Sequence, residues 1–110
     1  MDTTAPAYGV ALLRNVTMGQ PIVEHLERID ATLAPYGGRF IVHGVDRLML
    51  EGTDPGTMIV IEFPDRAHAE DWYGSRAYQQ ILPLRTENTS STVFIVDGVD
   101  AAHRATDVLR

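Results

Sequence analysis

The chain has 110 residues, 45% of them hydrophobic, and a formal net charge of −6. That length supports one domain whose core buries roughly two-thirds of the unfolded surface. The hydrophobic content excludes a disordered chain, the acidic balance without a basic run argues against nucleic-acid binding, and the lack of cysteine excludes disulfides, thiol catalysis and thiolate metal sites.

The opening MDTTAPAYGV has no basic region followed by a long apolar run, so no signal peptide is expected. No apolar stretch has the length to span a bilayer. These features fit a cytoplasmic protein. Residues 1–7 read as a loose arm. Tyr8 to Arg14, YGVALLR, is a strand that is apolar on both faces. Pro21 is a good first helical residue. Ile22, Leu26, Ile29 and Leu33 then recur at helical steps, which predicts an amphipathic helix. Glu24 and Arg28 form a favourable i,i+4 pair on its wet side. Pro35-Tyr36-Gly37-Gly38 ends the helix and turns the chain.

A second strand is expected from Arg39 to His43, bent at Gly44 and continued by VDRLMLE. Gly52 to Gly56 has the composition of a hairpin loop. The third strand, Met58 to Phe63, is apolar except for Glu62. Pro64 ends it, and Asp65 is an N-cap for the helix that follows. Ala69, Trp72 and Tyr73 share one face of that helix. Gly74 closes it and Ser75 caps the next, which carries Tyr78, Ile81, Leu82 and Arg85, with a kink or break expected at Pro83. Thr92 to Val96 is the last strand. Residues 101–110 read as a frayed tail or as an arm that docks on a partner. One domain therefore spans 1–110, with its core over about 8–100.

Strand, helix, strand, strand, helix, strand is the order of an α+β ferredoxin-like fold, βαββαβ, with a four-stranded antiparallel sheet and helices on one face. The strands are apolar on both sides, so the second face needs a cover. The simplest cover is a second copy, sheet against sheet, in a two-fold homodimer. A lipid-like ligand ranks below it.

YGGRF at 36–40, VIEFP at 60–64, WYGSRAYQ at 72–79, PLR at 83–85 and VDGVD at 96–100 together resemble the family known as domain of unknown function 1330, over about residues 8–100. That family is similar to the dimeric α+β-barrel proteins, in which two ferredoxin-like protomers pack their sheets into one barrel. The wider group includes cofactor-independent monooxygenases of antibiotic type, haem-degrading enzymes and isomerase-like proteins. The resemblance places Glu62, Trp72, Tyr73, Ser75, Tyr78 and Arg85 at signature positions. Many relatives carry Arg-Gly-Gly after the second strand, whereas this chain has His43-Gly44-Val45, an imidazole in place of a guanidinium.

Each candidate has a plainer reading beside the chemical one. Arg85 follows apolar helical positions, where its guanidinium can hold a carboxylate or enolate in a fork; the plainer role is an ion pair with Glu62. Glu62, among apolar neighbours, is a candidate general base, or else a structural partner of Arg85. His43 is a candidate acid or base, or a satisfied strand residue. Trp72, Tyr73 and Tyr78 can line a pocket for an aromatic ligand, or form core. Ser75 stands among the candidate ligand contacts and reads best as an N-cap, since no nucleophile elbow surrounds it. His25, His68 and His103 are expected to face solvent or lie in the tail. His68 and Asp71 stand at i,i+3 without a third ligand at a useful spacing, so no metal is expected. No phosphate-loop or dinucleotide fingerprint occurs, and no cofactor is expected. Two functions follow: a small-molecule-binding dimer, including cofactor-independent monooxygenase or isomerase chemistry on a small anionic or aromatic substrate, or a non-catalytic dimerisation module with a structural polar core.

Overall fold

A computed structural model describes residues 5–44 and 46–110. Strand β1 covers Ala7–Arg14, β2 Arg39–His43, β3 Thr57–Phe63 and β4 Ser90–Asp97. Helix α1 covers Gln20–Leu33, α2 Arg66–Tyr73 and α3 Arg76–Thr86. The four strands form one antiparallel sheet in the order β2-β3-β1-β4. This is the ferredoxin-like βαββαβ arrangement. Most of the expected arm lies outside the described residues, and its last residue, Ala7, already belongs to β1.

Register assigns the faces. Ala7 pairs with Phe63, Gly9 with Ile61 and Ala11 with Ile59. Because side chains alternate along a strand, these residues share one face, and α1, α2 and α3 pack over it. Ala7, Ile29, Leu33, Ile61, Phe63, Ala69, Trp72, Tyr78 and Ile81 form the buried core there. Tyr8, Val10 and Leu12 of β1 point the other way, in register with Glu62, Val60 and Met58. On β4 the same face carries Phe94 and Val96.

Local chemistry sets the helix ends. Pro21 occupies the first turn of α1, where its missing N–H costs nothing. The helix runs into a short 3-10 turn, Ala34–Tyr36, and Gly37 takes the left-handed conformation at φ 68°. Gly38 follows because a Cβ there would meet Leu33 at 2.7 Å and Phe63 at 2.8 Å; its absence lets the end of α1 close on the sheet. Asp65 caps α2 by accepting from the His68 backbone N–H at 2.9 Å. Ser75 caps α3 by accepting from Tyr78 N–H at 3.2 Å. The expected Glu24–Arg28 pair forms at 2.7 Å.

Two expectations need correction, and the tail carries one short element. Strand β2 stops at His43, and residues 46–50 form no strand. Gly44 turns the chain out with φ 65° while its N–H donates to Met58 O at 2.9 Å. Val45 lies outside the described residues. Pro83 does not break α3, which continues through Thr86. The segment Ala105–Leu109 forms a 3-10 turn, with Arg104 N–H donating to Asp107 at 3.0 Å. Among the described residues no helix is long and apolar enough to cross a membrane.

Candidate functional site

Between the inner face of the sheet and helices α1 and α3 lies a cavity of ≈ 100 Å³. Its floor is Gly9 and Ala11 of β1 with Ile59 and Ile61 of β3. Small residues on β1 create this space, since larger ones would fill it. Leu13, Val16, Leu26 and Val93 also line it, and Leu26 and Val16 remain exposed at its edge. Phe40, Trp72, Tyr73 and Tyr78 supply the aromatic wall. These rings are in contact with one another: Trp72 and Tyr78 centroids are 4.1 Å apart, Tyr73 and Tyr78 5.5 Å. Trp72 spends its N–H on Thr32 Oγ1 at 3.0 Å, and that hydroxyl donates to Ile29 O at 2.6 Å. The indole is thus fixed between α2 and α1.

Arg85 enters this apolar space from the last turn of α3 and is only 6% exposed. Its Nη1 donates to Ser91 Oγ at 2.6 Å. The Arg85–Glu62 ion pair does not form: Glu62 lies on the opposite face of the sheet and takes Arg39 at 2.9 Å. Strand alternation explains this, because Ile61 and Phe63 face the helices and Glu62 between them must face away. Among the described residues no carboxylate pairs with Arg85. A guanidinium withdrawn from water without a counter-charge is costly.

Tyr78 is affected by the same cation. Burial pushes its phenol above the usual value, and the positive charge of the neighbouring Arg85 partly offsets the rise. The hydroxyl therefore stays protonated at neutral pH. His43 reaches the cavity from the end of β2, stacked on Phe40 with centroids 4.4 Å apart. Ser75 does not line the cavity; its hydroxyl serves the α2–α3 junction, donating to Trp72 O at 2.7 Å.

His25 overturns the expectation that it faces solvent. It is 7% exposed, lines the cavity, and stands edge-on to Tyr78 with centroids 6.3 Å apart. Burial, then the positive charge of Arg85, lower its pKa to about 4. Its Nε2 is fully buried and has no hydrogen-bond partner among the described residues. The sequence signal was available: His25 is three residues after Ile22 and four before Ile29, so it shares their helix face. Thr32 and Ser91 were missed for the same reason, as polar residues on an inward-facing row. His68 instead hydrogen-bonds Asp65 at 2.6 Å, and His103 lies 3.7 Å from Asp107 in the tail. Among the described residues no three His, Asp or Glu side chains gather to hold a metal.

The sequence model of the domain of unknown function DUF1330 matches residues 6–99. The chain belongs to the DUF1330 family. No curated protein matches this DUF1330 chain. Among solved structures it is similar to a protein of unknown function from Rhodopseudomonas palustris (16% identity, 87% of this chain and 84% of that one, TM-score 0.66). A dimeric ferredoxin-like protein of unknown function from Jannaschia sp. CCS1 is similar over 84% of this chain and 99% of that one (13% identity, TM-score 0.65). SnoaB, a cofactor-independent oxygenase from Streptomyces nogalater, is similar over 92% of this chain and 100% of that one (13% identity, TM-score 0.58). At these identities the likeness establishes the fold.

Proposed function

We propose that this protein is a cytoplasmic homodimer that binds a small aromatic anion in the cavity between the sheet, α1 and α3, with Arg85 as the anion-holding group. The buried Arg85 guanidinium, with a neutral serine as partner, carries this reading. A carboxylate or enolate would supply the missing counter-charge in a fork geometry. Trp72, Tyr73 and Tyr78 offer ring faces and edges to a planar ligand. His43, at the edge of the same space, is the group to move a proton if the bound molecule reacts, and its stack on Phe40 fixes the ring. The chemistry that fits is cofactor-independent oxygenation or isomerisation of an enolisable or phenolic anion, and the likeness to SnoaB supports it as analogy.

Assembly follows from the outer face of the sheet. Met58, Phe94 and Val96 are exposed there beside Val10, Leu12 and Val60. A contiguous apolar surface of this kind marks an interface, and a second sheet is its natural complement.

Thermal shift with a panel of aromatic acids tests the site, with Arg85→Gln run beside the wild type. A ligand that binds the native state raises Tm by mass action. The expected result is a concentration-dependent rise in the wild type that Arg85→Gln loses. The unliganded variant should melt at or above the wild type, because removing an uncompensated buried charge relieves strain on the fold. A marked fall in Tm with no ligand response in either protein would transfer the role of Arg85 to structure alone and favour the non-catalytic dimerisation module. Light scattering at micromolar concentration checks assembly, and a monomeric mass would remove the second sheet from this account.

A further inference from the structure

Resting on that reading of the cavity, we infer that His25 is a second ligand contact and that the occupant is a monocyclic aromatic acid carrying a hydroxyl group. Arg85 from α3 and His25 from α1 are polar side chains of different elements that border this apolar space and are almost wholly buried. The first wants an anion. The second is an imidazole whose Nε2 is sealed from solvent with no partner among the described residues. A buried nitrogen left without a hydrogen bond bears its full desolvation penalty with nothing in return. Folded proteins rarely carry that cost without a partner or a function. A water or a second side chain is the ordinary remedy; here the ring borders a cavity, and a ligand is the remedy on offer.

The chemical complement is specific. With its pKa lowered to about 4, His25 is neutral at physiological pH and has one donor and one acceptor nitrogen. A second anion on the ligand gains nothing from a neutral ring. A hydroxyl, which both donates and accepts, satisfies the imidazole in either tautomer. A turn of the ring about its Cβ–Cγ bond would bring Nε2 to the cavity that the ring borders.

Size narrows the class further. Pockets for drug-sized molecules run to about 300–1,000 Å³, whereas one of about 150 Å³ already admits benzene. The cavity here is ≈ 100 Å³, smaller than that, and is open at its edge beside the part-exposed Leu26 and Val16. A single substituted ring needs those two residues to move outward, and a fused polycyclic molecule needs far more room. The occupant is thus a hydroxybenzoate-like acid, its carboxylate on Arg85, its ring against Tyr78 and Trp72, and its hydroxyl on His25.

Isothermal titration calorimetry with benzoate, 3-hydroxybenzoate and 4-hydroxybenzoate separates this inference from the reading beneath it. Wild type, Arg85→Gln, His25→Phe and His25→Gln are compared. In wild type one hydroxybenzoate should bind about tenfold tighter than benzoate, the usual worth of a hydrogen bond to an otherwise unsatisfied buried group. His25→Phe should abolish the preference, so that in this variant the hydroxybenzoate and benzoate bind alike, and His25→Gln should restore part of the difference. As a readout that needs no variant, the imidazole ¹⁵N signals of His25 in the wild type should move with the hydroxybenzoate and stay in place with benzoate. If all three acids bind equally, still dependent on Arg85, or if the hydroxyl preference survives in His25→Phe, the His25 assignment is wrong and the Arg85 site stands. If none of the acids binds the wild type, the aromatic-anion site fails and this inference fails with it.

Discussion

The two faces of the sheet are built from the same strands and solve different problems. The inner face sets small Ala7, Gly9 and Ala11 on β1 against large Ile59, Ile61 and Phe63 on β3. Three helices cover it, and the mismatch in size leaves a cavity where Arg85 and His25 are enclosed. The outer face has no such mismatch. Val10, Val60 and Phe94 lie side by side in register, and Phe94 remains 45% exposed because no helix of this chain covers it. Apolar character on a strand therefore does not say what it is for. On one face it makes the fold and a hole in it; on the other it makes an apolar surface that no helix of this chain covers.

One phenylalanine from each face turns that contrast into a measurement. Phe63 is 1% exposed, packed on Trp72 with ring centroids 5.4 Å apart and close to Gly38. Phe63→Ala should cost about 3–5 kcal/mol in urea unfolding, by an amount independent of protein concentration. Phe94→Ala should lower the midpoint by less, and the loss should grow as protein concentration rises through the range in which the protein dimerises, as mass action requires of a dimer contact. Equal, concentration-independent losses would mean that both faces are stabilised within one chain.

The sequence announced the inner architecture through punctuation. Pro64 and Asp65 mark the turn from β3 into α2, and Ser75 marks the start of α3, each by a backbone bond that the structure contains. The two-sided apolar strands announced a surface in need of cover. What stayed hidden depended on partners distant in the chain. Glu62 was matched to Arg85 because both are charged groups near apolar residues; register gives Glu62 to Arg39 on the other side. The inward row of α1 was assigned to its leucines and isoleucines, yet Leu26 lies at the rim while His25 and Thr32 turn inward. A polarity pattern cannot reveal that, because Thr32 is admitted by Trp72 and His25 by the cavity. The strand expected after Gly44 fails for want of a partner: His43 already faces Ile59, so residues 46–50 would run past the start of β3 at Thr57, where no strand lies opposite them.

The inner face should also carry a pH signature that the outer face lacks. His25 has a folded pKa of about 4 against 6.5 for the free side chain, chiefly through burial, with Arg85 adding its charge. Below pH 6.5 the unfolded chain binds this proton and the folded chain does not, so stability falls as pH falls. The loss ends near pH 4, where the folded protein is protonated too, and amounts to about 3 kcal/mol. The difference between wild type and His25→Phe across pH 7 to 4 isolates it from every other titrating group. A flat difference would mean that His25 already reaches water. A bound anion at Arg85 should reduce the slope, since a negative charge beside His25 favours its protonated form.

The smallest expected effect belongs to the outer face, at Arg39 and Glu62. Arg39 offers Nε and Nη2 to one oxygen of Glu62, at 3.0 and 2.9 Å. The geometry is good, but Arg39 is 69% exposed and Glu62 27%. Water and salt screen such a pair, and the attraction is spent largely on holding two long side chains in place. Arg39→Ala should therefore cost less than about 1 kcal/mol in a protomer whose outer face is wet. The pair lies next to Tyr8, at the end of the apolar patch. A second sheet placed there would desolvate it, and removal of one partner would then strand the other charge. A double-mutant cycle of Arg39→Ala with Glu62→Gln, at two protein concentrations and two salt concentrations, tells these cases apart. A coupling that salt erases places the pair at the rim of the assembly, in open solvent. A coupling that resists salt and grows with protein concentration places it beneath the second copy, and the outer face then extends to the edge strand β2.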